Sequence, residues 1–243
     1  IAAALAAHAE DAEDRAQPLM LWYGIEASIP QDHSKAIALA VSSRIPLLRQ
    51  FIARRLTLQI EEAPQTVETL VEIAARSSDA NAAKDLLTGM HEALHGWRKA
   101  PAPRNWSAAA EKLLASETTA AITRELGVVF GDGRGIEQVR KIAADNNGDA
   151  NSRQNAIRVL VEAQVPDLVG QLKNWLNDRV VETAAVKGLA GYDDPQIATL
   201  LVENHREFLR YVERRVGDRA TAEEIVQDAF ARSLDRGDEI RDS

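Results

Sequence analysis

Apolar residues recur at every third or fourth position along most of this chain, and strict apolar–polar alternation is nearly absent. Spacing of that kind places apolar side chains on one stripe of an α-helix, whereas alternation marks a half-buried strand. "PLMLWYGIE" reads as a short apolar helix with Pro18 at its start, where the missing N–H costs nothing. "DHSKAIALAVSSR" and "IPLLRQFIARRLT" follow, the second opening on Pro46. In "PQTVETLVEIAARSS" the residues Val67, Leu70, Val71 and Ala74 form one stripe. "DANAAKDLLTGMHEALHGW" continues the pattern behind Asp79, a residue suited to capping a helix N-terminus. The clearest linker is "APAPRN" at 100–105, with prolines at 101 and 103. Seven further helical segments follow, from "WSAAAEKLLA" to "PQIATLLVENH". Connections are short and strands are missing, so each helix must bury its stripe against other helices.

A repeat organises the second half. "DANSRQNAIRVL" starts at Asp149 and "DRVVETAAVKGL" at Asp178, an offset of 29 residues. Without gaps this pairs Asp149 with Asp178, Ala156 with Ala185, Ile157 with Val186, Arg158 with Lys187 and Leu160 with Leu189. The aspartate caps a helix, the alanine allows close approach and the aliphatics fill the seam. With "PDLVGQLKNWLN" between them, these segments resemble the short HEAT-like repeats of bacterial proteins. One departure is Glu182, which follows Val181 where those repeats carry arginine. The resemblance implies an α-solenoid of stacked antiparallel helix pairs; the alternative is an irregular helical bundle.

Composition narrows the function classes. Of 243 residues, 45% are hydrophobic, 27% charged and 5% aromatic, an ordinary globular balance rich in small and aliphatic residues. The net charge of −8 makes the surface as a whole repel nucleic acid. The absence of cysteine excludes disulfides, thiolate zinc sites, cysteine nucleophiles and covalently attached c-type haem. No stretch reaches the roughly 18–20 apolar residues that span a bilayer, so no membrane insertion is expected. The start at Ile1 and the short, base-free apolar run of "IAAALAAHAEDAED" do not form a signal peptide. They suggest a fragment or a processed chain.

The N-terminal segments "HAEDAEDRAQPLMLWYGIE", "SRIPLLRQFIARRLT", "LLTGM" and "GWRKAPAPRNW", with "GYDD" at 191–194, resemble the helical region of large planctomycete- and verrucomicrobial-type membrane-bound dehydrogenases. The resemblance covers about residues 1–200. In that family a β-propeller precedes the HEAT-like segment and a cytochrome c-type haem domain follows it. Neither the propeller nor a Cys-x-x-Cys-His motif is present here, so only the scaffold segment carries over.

The sharpest chemical pattern is "HEALH" at 91–95. On a helix it places His91 and His95 on one face, one turn apart, with Glu92 as general base: the zincin arrangement. No "HxxGxxH" extension follows. A third ligand has to be a remote carboxylate such as Glu111, Glu117 or Glu125, with nothing in the sequence to choose among them. Zincins line their cleft with a sheet, so a structural role for this stretch is favoured, and no metal or other cofactor is expected. His8, His33 and His205 have no partners at ligand spacing. "FGDGRG" at 130–135 lacks the Gly-Lys-Ser/Thr ending of a phosphate loop and a preceding strand, and reads as a helix–helix connection. Trp22, Trp97, Trp106 and Trp175 read as packing residues rather than a ligand cage.

The tail differs from the rest. "EFLRYVERRVGDRATAEEIVQDAFARSLDR" resembles the beginning of region 2 in bacterial sigma factors of the extracytoplasmic-function group. The match includes Leu209, Tyr211, the "GDRATAEEIVQDAF" turn and helix, and Ala229-Phe230. It implies a helical hairpin whose second helix docks on core RNA polymerase through Glu224, Gln227 and Asp228. The promoter-melting and promoter-reading parts of that family do not follow, so direct nucleic-acid binding is not implied.

The expected architecture is therefore all-α, a HEAT-like, armadillo-type solenoid ending in the sigma-like hairpin. Residues 1–100 would form its N-terminal helical part, 101–205 the HEAT-like repeats and 206–243 the partial sigma-like domain. The expected function is a non-catalytic scaffold or protein-interaction module with an unknown protein partner. The alternatives are a transcription-related protein contacting core RNA polymerase through its tail, and a zinc metallopeptidase built on His91, Glu92 and His95. The sigma-like tail implies a cytoplasmic protein; the dehydrogenase-like context implies a periplasmic or exported one.

Overall fold

The computed structural model of the chain describes residues 1–189, 191–192, 209, 213, 217–220 and 223. Among the described residues the protein is all-helical, with twelve α-helices, two 3₁₀ segments and no strand. The α-helices are α1 (Ala2–Leu5), α2 (Gln17–Ile25), α3 (His33–Ser42), α4 (Pro46–Thr57), α5 (Pro64–Arg76), α6 (Ala80–Ala93), α7 (Trp106–Leu114), α8 (Glu117–Val129), α9 (Gly133–Ala144), α10 (Ala150–Glu162), α11 (Leu168–Trp175) and α12 (Glu182–Leu189). The 3₁₀ segments are Ala9–Glu13 and Glu26–Gln31. None of these helices is long and apolar enough to cross a membrane.

The helix starts follow the expected chemistry. Pro46 and Pro64 open α4 and α5, and Pro18 sits in the first turn of α2. Asp79 accepts hydrogen bonds from the backbone N–H groups of Asn81 and Ala82, and Asp32, Asp132 and Asp149 cap α3, α9 and α10 in the same way. The N–H of Ser152 holds the Asp149 carboxyl below its ordinary pKa.

Two helix ends share one geometry. After α8, Gly131 adopts φ 70°, its N–H donates to the Val128 carbonyl, and the N–H of Asp132 donates to that of Gly127. This is a Schellman closure, which favours glycine because of the left-handed backbone. The connection between α8 and α9 is thus Phe130–Asp132, and the rest of "FGDGRG" is the first turn of α9. After α10 the same pair of hydrogen bonds recurs around Gln164, at φ 46°.

The chain divides into two compact units, Ile1–Pro166 and Asp167–Ser243. In the first, α4 packs on α6, α6 on α8, and α8 on α10; α5 packs on α7, and α9 on both α8 and α10. The largest core cluster runs from Ala6 to Phe130 and includes Ile45, Leu48, Ile52, Leu56, Leu70, Leu87 and Met90. Each such aliphatic side chain stabilises the fold by about 1.5–3 kcal/mol when taken out of water. The expected stripe of α5 is inward-facing, with Val67, Leu70, Val71 and Ala74 all buried. Trp22 packs on Phe51 at 5.3 Å between ring centroids and Trp106 on Phe130 at 4.8 Å; Trp97 is partly buried against the same core.

The 101–105 linker lies inside this unit and is tied down. The Asn105 amide donates to the Glu68 carbonyl at 2.8 Å, and the Ala100 N–H donates to the Val129 carbonyl at 3.0 Å.

In the second unit α11 packs on α12; Leu168, Leu172 and Trp175 are buried on α11, as are Val181 just before α12 and Ala185 and Leu189 on it. Both copies of the 29-residue repeat bury their alanine and leucine: Ala156 and Leu160 in α10, Ala185 and Leu189 in α12. The pairing is looser at the next position, where Ile157 is buried and Val186 is half-buried.

Candidate functional site

Helix α6 carries the first part of the candidate zinc motif, but it ends sooner than that motif needs. The last helical residue is Ala93, and Leu94 closes the turn with φ −96° and ψ 5°. Gly96 then takes φ 83°, and the chain leaves the helical path. His91 is therefore in the last turn of the helix, and His95 lies in the turn just past its end, still near enough to act on His91 electrostatically. Glu92 and His95 are exposed, and His91 is half-buried.

Of the three carboxylates considered as a remote partner, the fold brings in Glu125. Helices α6 and α8 pack together, which places His91 Nε2 at 3.2 Å from Glu125 Oε2. Glu111 and Glu117 are exposed elsewhere on α7 and α8. The other oxygen of Glu125 accepts a hydrogen bond from the Asn155 amide of α10 at 2.7 Å. Asn155 Oδ1 accepts from Arg158 at 2.6 Å, and Arg158 also donates to Glu162 at 2.7 Å. One polar chain thus runs His91, Glu125, Asn155, Arg158, Glu162 across α6, α8 and α10.

Electrostatics within this chain are balanced against charge on the imidazole. Burial lowers the His91 pKa, and Arg158 and His95 push the same way; Glu125 and Glu162 oppose them. A neutral imidazole against a carboxylate is the arrangement that orients a histidine, whether as ligand, base or structural link. Here both Glu125 oxygens already have protein partners. Among the described residues no group of three or more His, Cys, Asp or Glu side chains is placed to hold a metal ion.

Three further groups, buried or partly buried, also join one element to another. Asp85 of α6 receives Arg49 of α4 through Nε at 2.9 Å and through the second guanidinium nitrogen at 2.7 Å, with Gln50 at 3.0 Å on its other oxygen. Arg153, fully buried, donates to the Ala143 carbonyl at 3.1 Å, where a cation suits the C-terminal end of α9. His33 bridges Thr66 at 2.8 Å and Gln59 at 3.1 Å.

The spacing singled out His91 but not Asn155, Arg158 and Glu162. Their signal is the i, i+3 and i, i+4 spacing along α10, which occurs on any solvated helix face and names no partner. The sigma-like positions Glu224, Gln227 and Asp228 lie outside the described residues. No protein-family model, curated protein or solved structure matches this chain.

Proposed function

We propose that this chain is a non-catalytic helical scaffold, a protein-interaction module whose helices stack in the manner of a HEAT-like solenoid. The observation that carries this reading is a succession of polar links, largely shielded from solvent, between neighbouring helices. Arg49–Asp85 joins α4 to α6, His91–Glu125 joins α6 to α8, and Glu125–Asn155 joins α8 to α10. Each link lies between helices that pack one upon the next, the neighbour relation on which repeat stacks depend. A catalytic group has to face its substrate, whereas these face one another.

The experiment sets this reading against the metallopeptidase one. The purified chain is assayed for bound zinc, for peptide hydrolysis, and for its melting temperature with and without a chelator. The scaffold reading expects no stoichiometric zinc, no turnover and no chelator effect. One zinc per chain, lost in His95→Ala together with hydrolysis, overturns it, because metal-dependent turnover is what a scaffold lacks and a zinc peptidase has.

A further inference from the structure

Helix α2 carries the two most exposed large apolar side chains within the helices of this unit, Met20 and Tyr23. Between Arg15 and Glu26 the chain has no charged residue: "AQPLMLWYGI". Helix α2 buries Pro18 and Trp22, with Leu21 and Ile25 packed against the core beside them. Its opposite face presents Gln17, Met20, Tyr23 and Gly24 to solvent. Met20 is 69% exposed and Tyr23 71%. A helix apolar on both faces normally has both covered. Among the described residues nothing covers the face that carries Met20 and Tyr23. Exposed methionine and tyrosine are the side chains that adaptable binding surfaces use most.

Gly24 adds to this. A Cβ built there meets nothing within 4 Å, so no internal packing requires glycine at this position. Just beyond the helix, Ala27 and Ser28 are also small and exposed. A partner backbone can therefore approach this end closely.

The charge around the face says what kind of partner fits. The Ala9–Glu13 segment packs against α2 and carries Glu10, Asp11 and Glu13; Asp14 follows it, and Glu26 stands at the far end of the helix. Against these five carboxylates stand Arg15 and Arg44, the latter close enough to act on Glu10, with His8 paired to Glu10 at 2.8 Å. Asp14 stays ionised, since the N–H groups of Gln17 and Ala16 hold its pKa down. A second copy of the chain would set acid against acid on a protein that already carries −8. An apolar stripe with an acidic border is complementary to an apolar stripe with a basic border.

We infer that the outer face of α2, with its acidic border, is a docking surface for a basic amphipathic helix of a partner protein. Met20 and Tyr23 receive the apolar side of that helix, and the border carboxylates face its lysines and arginines. The inference rests on the scaffold reading, since it supplies that scaffold with a partner class. A single helix face of this size gives a transient complex, tuned by salt.

The test uses the full chain and a fluorescein-labelled 18-residue peptide of leucine and lysine, patterned as an amphipathic helix, with binding followed by anisotropy. Two further peptides serve as controls: one with glutamate replacing lysine, and one of the same composition in an order that destroys the stripe. Saturable binding of the basic amphipathic peptide is expected, weakened at least tenfold by Met20→Asp and by Tyr23→Asp. Replacing Glu10, Asp11 and Glu13 by their amides weakens it several-fold at low salt and less at physiological salt. Because both apolar residues are already largely in water, their aspartate variants keep the wild-type melting temperature and circular dichroism. Binding that is undiminished in those variants, or equal for the disordered-stripe peptide, overturns the inference and leaves only charge attraction. A chain that dimerises through this face, by sedimentation and sensitively to Met20→Asp, also overturns it in favour of a second copy. None of these outcomes bears on zinc, so failure here is separable from failure of the scaffold reading.

Discussion

Gly89 lies in α6 where that helix crosses closest to α4, and replacing it by alanine tests that crossing with a single methyl group. A Cβ built at Gly89 runs into the Gln50 carbonyl oxygen and comes within 2.9 Å of both the Gln50 carbonyl carbon and the Arg54 nitrogen. All of these are backbone atoms. A flexible side chain can swing away from a methyl, but a helix backbone has to move as a body. Overpacking of this kind costs about 1–3 kcal/mol, sometimes more, and backbone contact belongs at the upper end. Against it stands the helix preference of alanine over glycine, about 1 kcal/mol. The net is a loss of about 2 kcal/mol. A unit of this size loses roughly 2–4 °C of melting temperature per kcal/mol, so Gly89→Ala should melt about 4–8 °C lower. Gly24→Ala is the matched control. It is also helical, it has nothing within 4 Å of its new Cβ, and it should gain about 0.4–1 kcal/mol. The same chemical change then has opposite signs at two sites of one unit. Thermal and urea unfolding of both variants measures this. A Gly89→Ala protein as stable as the parent would show that α4 and α6 are not so close, and would remove the main seam on which the stack is built.

Removing Asp85 by Asp85→Ala should cost about 3–5 kcal/mol, because it leaves Arg49 charged and nearly buried, while a paired apolar replacement of both residues should recover most of that loss in urea unfolding. Ala156→Trp and Ala185→Trp should each destabilise by about 1–3 kcal/mol, as both alanines are buried at helix seams; unchanged melting in both would break the repeat alignment. The pH dependence of His91 has a definite sign. Burial holds its folded pKa below the ordinary 6.5, so the unfolded chain takes up the proton first. The contribution is therefore complete above about pH 6.5 and is lost as pH falls through the folded pKa. Urea unfolding between pH 7.5 and 5 should show a loss in the parent that is smaller in His91→Gln.

Much of the fold was legible because its signals are local. The stripe of α5, the caps Asp79 and Asp149 and the prolines in the first turns of α2 and α4 each act within one or two turns, so a single sequence carries them. The end of α10 was less legible. Its closure is the one seen at Gly131, but the left-handed residue is Gln164, which has no glycine to announce it. The 29-residue offset placed Ala156 and Ala185 in helix seams, yet it gave Val186 the role of Ile157, and the fold leaves Val186 half-buried. Periodicity states which residues face inward along one helix; how deep each goes depends on which neighbour covers it, and that is a property of the whole packing.

The histidine motif shows the same limit at the level of chemistry. A one-turn spacing identifies a site only if the helix continues through it, and here the helix ends at Ala93, inside the motif, with the backbone turning left-handed at Gly96 beyond it. What gives His91 its surroundings lies further off: Glu125 is 34 positions away in the chain and Asn155 another 30. They meet because α6, α8 and α10 pack in succession. None of the three residue types, alone at its position, distinguishes this from an ordinary polar surface. The α2 face is the reverse case. Its lack of charge from residue 16 to 25 is plain in the sequence, and it reads there as a short apolar helix. Only the fold shows that one side is left uncovered by the described residues, and the acidic border then becomes information about a partner. Local pattern says what a helix can bury, and packing decides what remains for something else to bury.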